Sequence, residues 1–112
     1  MRGNQYECVS DLIAELLIGY GIDYLALNPG RTFRAIQESI VNYLGNVQPK
    51  IVEVRHEETA VPIAHGCFKA KRKPMAVLLY DVGLLHASIA IFNAWCDDAV
   101  ILILGGRPRG CG

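Results

Sequence analysis

The chain has 112 residues, enough for one domain with one core and too few for two. Eleven basic and eleven acidic residues cancel, so nothing suggests an electrostatic footprint for nucleic acid. With 52% hydrophobic and 20% charged residues it is a globular sequence rich in surface that needs covering.

Met1 to Gln5 lacks the apolar stretch of a signal peptide, and no apolar run reaches transmembrane length. Cys8, Cys67, Cys96 and Cys111 include no Cys-x-x-Cys pair, so they indicate neither a zinc site nor a disulfide scaffold. Reduced thiols and a cytoplasmic location are the expectation.

Val9, Leu12, Ile13, Leu16, Leu17 and Tyr20 recur at helical spacing, and Gly21 supplies the stop. Ile22 to Leu27 reads as a short buried strand ended by Asn28-Pro29-Gly30. Thr32 can cap a second helix with Phe33, Ile36, Ile40 and Leu44 on its apolar face, ended by Gly45-Asn46. Ile51 to Val54 is a second strand that looks buried, and Glu57 to Ala70 a third helix. Lys69 to Lys73 is most simply a solvated helix end that complements the helix dipole. Met75 to Tyr80 is a third strand, broken by Asp81-Val82-Gly83. Leu84 to Cys96 forms one fourth helix, and Ala99 to Leu104 a fourth strand running into Gly105-Gly106.

Helix and strand alternate four times, and the strands are continuous apolar runs. That pattern predicts a three-layer α/β/α fold, a doubly wound parallel sheet of four strands with helices on both faces. The flavodoxin-like default order is 2-1-3-4. A strand-sized apolar run so close to the C-terminus predicts an uncovered sheet edge. Ligands of such sheets gather outside the carboxyl ends of the strands, where Asn28-Pro29-Gly30, Arg55-His56-Glu57, Asp81-Val82-Gly83 and Gly105-Gly106 fall. Each is equally an ordinary strand-to-helix turn. No Gly-x-Gly-x-x-Gly or Gly-Lys-Ser forms a self-contained phosphate cradle.

Glu57 is the proton-transfer candidate, a carboxylate that apolar neighbours can desolvate. His56 and Glu57 diverge in direction at a strand end and do not make a dyad. His65 and His86 lack a carboxylate or thiol at metal-ligand spacing, so no metal site is expected. Asp97-Asp98 reads better as a helix-end turn than as a paired-carboxylate site.

The ordered set of these stretches resembles the N-terminal, pyrimidine-binding domain of thiamine-diphosphate-dependent enzymes of the acetolactate synthase and pyruvate decarboxylase group. The matching pieces are Gly21-Ile22-Asp23-Tyr24 leading to Asn28-Pro29-Gly30, then His56-Glu57 with Ala60, Ala64 and Gly66. Lys73-Pro74, Gly83, Asn93-Ala94-Trp95 and Asp97 follow in order, so the likeness covers most of residues 9–106. Gly66 stands nine positions after Glu57, as the family's spacing requires.

The resemblance implies that Glu57 hydrogen-bonds the ring nitrogen of the cofactor's aminopyrimidine. A neighbouring ring substituent then takes the thiazolium C2 proton, and a 2-keto acid is decarboxylated or joined to a second carbonyl. Pro29, Gly30, Gly83 and His86 would line the pyrimidine. Thiamine diphosphate is the implied cofactor, with Mg2+ on a diphosphate-binding domain of the same gene product or a partner chain. FAD, used by some acetolactate synthases, is left open. The chain is expected to be a single partial domain over residues 1–112, truncated relative to the family, inactive alone, homo-oligomeric, and without nucleic-acid or membrane partners. The other reading is a non-catalytic remnant or oligomerisation module that keeps the fold.

The sequence departs from the family at several points. Cys67-Phe68 replace the usual Tyr-Ala, Lys71-Arg72 the usual Thr-Gly, and Asp81-Val82 the usual Gly-Pro; the proline that commonly opens the fourth strand is missing near Val100. Phe68 against a sheet would overpack by about 1–3 kcal/mol. Pro62 inside the third helix would cost about 3 kcal/mol unless the helix starts late.

Overall fold

Four apolar segments pair side by side as one parallel sheet in the order β2-β1-β3-β4. A computed structural model of the chain describes residues 9–28, 34–45 and 48–106. The strands are β1 (Tyr24–Leu27), β2 (Lys50–Glu53), β3 (Met75–Tyr80) and β4 (Ile101–Gly106). The helices are α1 (Val9–Gly19), α2 (Arg34–Glu38), α3 (Glu57–Lys71), α4 (Asp81–His86) and α5 (Ser88–Cys96). Register runs Leu25 to Ile51 on one side of β1 and Leu25 to Ala76 on the other, and Met75 to Ile101 between β3 and β4. The expected order and the all-parallel pairing are both present.

The central strands are apolar throughout because alternate side chains feed two separate cores. Leu25, Leu27, Ala76 and Leu78 pack with Ala14, Leu17, Ile40 and Leu44 on the face of α1 and α2. Ala26, Met75, Val77 and Leu79 pack with Ala60, Val61, Ala64 and Ala87 on the face of α3 to α5. The edge strands differ. All of β3 except Tyr80 is buried, whereas β2 and β4 are only half-covered. Ile51 to Val54 is therefore an edge strand, not the buried one expected. Ile51 and Val52 pack, partly buried, against the two cores.

The stop of α1 works as predicted. Gly21, at φ +78°, turns the chain so that its N–H reaches the Ile18 carbonyl and the Ile22 N–H reaches Leu17, each at 3.0 Å. The buried face of α1 was not the expected one, however. Ser10, Asp11, Ala14, Glu15 and Leu17 are buried, while Val9, Leu16 and Tyr20 are exposed. Hydroxyls from the second helix explain the rotation. Ser39 Oγ lies 2.6 Å from Asp11 Oδ1 and 2.9 Å from Ser10 Oγ, so its one hydrogen goes to the carboxylate and it accepts from Ser10. The Tyr43 hydroxyl donates to Glu15 Oε1 at 3.4 Å. Ser39 and Tyr43 belong to a π-helical turn, Ser39–Tyr43, into which α2 runs without a break.

The fourth helix is two helices. β3 passes into α4 at Asp81 with no intervening loop, and the axis breaks at Ala87 before α5 begins. Gly105 and Gly106 belong to β4 and not to a loop beyond it. Phe68 is only half-buried, with the Arg72 guanidinium 5.7 Å from its ring centre, so no overpacking of the sheet arises. The charges at the end of α3 are partnered, not simply solvated. Lys71 lies over the Tyr24 ring at 5.1 Å, Lys73 meets Asp23 at 3.0 Å and Lys69 meets Asp97 at 2.7 Å. Among the described residues, no helix is long and apolar enough to cross a membrane.

Pro62 is the sixth residue of α3, which starts at Glu57 and not late. An N–H there would bond the Glu58 carbonyl, and the proline ring leaves that acceptor to solvent. Pro62 is exposed, so no packing compensates. Pro62→Ala should stabilise the chain by about 1–3 kcal/mol, seen as a higher urea midpoint. An unchanged or lower midpoint would contradict this account of the helix.

Candidate functional site

The sheet order reverses between β1 and β3, and the crevice at their carboxyl ends is the place where an open α/β sheet accepts a ligand. Three strand ends converge there. β1 delivers Asn28, β2 delivers Glu57 as the first residue of α3, and β3 delivers Gly83 in the first turn of α4.

Glu57 is 8% exposed. His56 precedes it in an extended conformation, with φ −140° and ψ 146°, and its carbonyl accepts the Thr59 and Ala60 N–H groups at 3.0 and 3.3 Å. The chain turns sharply there, so Glu57 points into the protein while His56 and Glu58 stay exposed. A carboxylate at a helix N-terminus also sits at the favourable end of the helix dipole. The Asn28 side-chain amide donates to Glu57 Oε1 at 3.1 Å.

From the third side, Gly83 lies against the Glu57 side chain. A Cβ at Gly83 would stand 2.5 Å from Glu57 Cγ and 3.0 Å from both Cδ and Oε1. Ordinary side chains do not approach so closely, so glycine is required here for space and not for backbone freedom.

The other expected site residues fall as follows. Pro29 and Gly30 lie outside the described residues. His86 is exposed at the last position of α4, three residues beyond Gly83. His56 is exposed, whereas Glu57 is buried. His65 does have a carboxylate partner, which sequence spacing could not reveal: its Nε2 is 2.7 Å from Asp97 Oδ2, across 32 residues. Asp97 closes α5 as a helix-end turn, and the Lys69 ammonium, with His65 second, holds its carboxyl below the ordinary range. This cluster ties α3 to α5 on the outer surface. Among the described residues, no group of three or more His, Cys, Asp or Glu side chains could hold a metal ion.

Asn28 stands in one of the ligand-facing turns expected from sequence, but its link to Glu57 spans 29 residues. A polar side chain directly after the central strand was the available signal. A separate apolar cavity of 330 Å3 opens at the carboxyl ends of β3 and β4, beside Tyr80, Asp81, Leu84, Ile103, Gly105 and Gly106. Glu57 does not line it.

The contact between Gly83 and Glu57 gives a direct test. Gly83→Ala should cost about 1–3 kcal/mol of stability, the range for forcing one methyl group into a packed place. It should also displace the Asn28 side-chain amide resonance in an NMR spectrum. An alanine variant as stable as the native chain, with that resonance unmoved, would mean that the close approach is absent.

Residues 8–110 match the family described as thiamine pyrophosphate enzyme, N-terminal TPP binding domain. No curated protein matches the chain. Among the solved structures that share its fold are the following two. One is described as a thiamin diphosphate-dependent enzyme isolated from Mycobacterium smegmatis, with TM-score 0.75 and 22% identity over 88% of this chain and 18% of that one. The other is benzoylformate decarboxylase from Polynucleobacter necessarius, with TM-score 0.74 and 23% identity over 87% of this chain and 18% of that one. The chain thus spans less than a fifth of the length of either. A match over nearly the whole sequence, on a fold and sheet order that agree with it, places this chain in the thiamine pyrophosphate enzyme family, as its N-terminal TPP-binding domain.

Proposed function

We propose that the chain supplies the pyrimidine side of a thiamine-diphosphate site in a 2-keto-acid decarboxylase or carboligase of acetolactate synthase type. In this reading it is inactive until a diphosphate-binding domain, in the same gene product or a partner chain, joins it with Mg2+. The observation that carries the proposal is the buried carboxylate of Glu57 at the β1/β3 crevice, held on one oxygen by Asn28 and against its shaft by Gly83.

That donor set fits an aminopyrimidine. A carboxyl group can share a proton with a ring nitrogen, and burial keeps water from competing for it. Glu57 would hold that proton, while Pro29, Gly30, Gly83 and His86 would line the ring. The bound cofactor would supply the electron sink for cleavage or formation of the bond next to a 2-keto acid's carbonyl. A cytoplasmic location accompanies the proposal, supported by the free thiols of Cys67 and Cys96.

A homo-oligomer is the other part of the reading, and it also serves the non-catalytic alternative. Leu85, Ile89, Phe92 and Trp95 are 74%, 77%, 58% and 73% exposed, at spacings of four, three and three residues along α4 and α5. The Phe92 and Trp95 rings stand 5.9 Å apart, so Ile89, Phe92 and Trp95 form an exposed apolar stripe on α5. A monomer rarely leaves such a stripe in water.

Mixed with a diphosphate-binding domain of the family, thiamine diphosphate and Mg2+, the chain should consume a 2-keto acid. Glu57→Gln should lower that turnover by about 100-fold or more, the usual effect of removing an acid–base group. Full turnover by the glutamine variant would remove Glu57 from the chemistry. Sedimentation at micromolar concentration should show a dimer or larger species, and Trp95→Glu should shift it toward monomer. A native chain that stays monomeric at every concentration would refute the self-association.

A further inference from the structure

The carboxylate of Glu57 has two oxygens, and the structure treats them differently. Oε1 takes the Asn28 amide at 3.1 Å and is the oxygen turned toward α4, 3.0 Å from where a Cβ of Gly83 would stand. Oε2 has neither neighbour. We propose that Asn28 is a positioning residue for Glu57: it fixes Oε1, so that Oε2 is the oxygen presented to a pyrimidine ring. The proposal rests on the pyrimidine-site reading and adds to it the atom that meets the ligand and the residue that selects that atom.

The physical reason lies in the side chain. The last torsion of a glutamate is broad and nearly two-fold, so nothing intrinsic decides which oxygen faces which way. One donor held against one oxygen removes that degeneracy, and a hydrogen bond to a charged acceptor is among the stronger ones available.

Asn28 is well placed to act as that donor. It directly follows β1, which is paired on both sides, and the Leu27 carbonyl accepts the Val54 N–H at 2.8 Å. The amide is thus mounted at the end of an inner strand of the sheet. It is also half-buried and neutral, so it donates without adding a charge beside Glu57. An aspartate at this place would set two carboxylates against each other.

The test uses the 112-residue chain and thiamine as the probe, followed by NMR, together with thermal melts. Asn28→Ala should keep a dispersed, folded spectrum but weaken thiamine binding about tenfold, the loss of one such hydrogen bond. Asn28→Asp alone should lower the melting temperature. Combining it with Glu57→Gln exchanges donor and acceptor across the same contact, and should recover most of that loss without recovering thiamine binding.

If Asn28→Ala binds thiamine as the native chain does, the positioning role is wrong while the pyrimidine site stands. If the exchanged pair melts no higher than Asn28→Asp alone, the hydrogen bond itself is absent. If the native chain shows no thiamine-dependent shifts although the exchange restores the melt, the pyrimidine-site reading fails, and the positioning role with it.

Discussion

A carboxylate buried at the junction of a strand and a helix is the constraint around which this end of the molecule is arranged. Removing Glu57 from water is costly unless its oxygens find donors and its shaft is packed. No single segment can meet both needs. The donor comes from the residue after β1 and the packing surface from the first turn after β3, while Glu57 itself follows β2. With β1 between β2 and β3, those three ends come together at one edge of the sheet. The strand order is therefore part of the site and not merely a scaffold for it.

Most of this fold was legible in the sequence because the central strands are buried on both faces. Leu25 to Leu27 and Met75 to Leu79 are apolar and buried at every position, the pattern of a parallel sheet covered on both faces. Edge strands carry a weaker signal. Ile51 to Val54 looked equally buried, because hydrophobicity alone does not say which strand lies outside. Glu57 stands out for a different reason: it is a carboxylate between an apolar strand and a helix, where apolar neighbours can desolvate it.

Its partners were not legible. Asn28 is 29 residues away, and Gly83 matters through a missing Cβ, which no periodicity reports. The face of α1 was misread because Asp11 and Glu15 look like solvent residues until Ser39 and Tyr43 supply their donors from another helix. The break at Ala87 likewise leaves no mark in the apolar spacing of α4 and α5.

The positions at which the sequence departs from the family pattern support this division between a constrained interior and a permissive exterior. Phe68 is half-buried beneath Arg72, Pro62 is exposed on α3, and Asp81 and Val82 are exposed at the start of α4. Asp81 even finds a local use, since its Oδ1 accepts the Val82 N–H at 3.0 Å. Phe68, Asp81 and Val82 face water or a flexible neighbour, where a different side chain costs little, whereas Pro62 costs α3 a hydrogen bond and Arg72 holds φ 56° where the family has glycine. Gly83, one residue beyond Val82, has no such latitude because Glu57 lies against it. A short stretch thus contains both kinds of position. What separates them is the distance to one buried carboxylate.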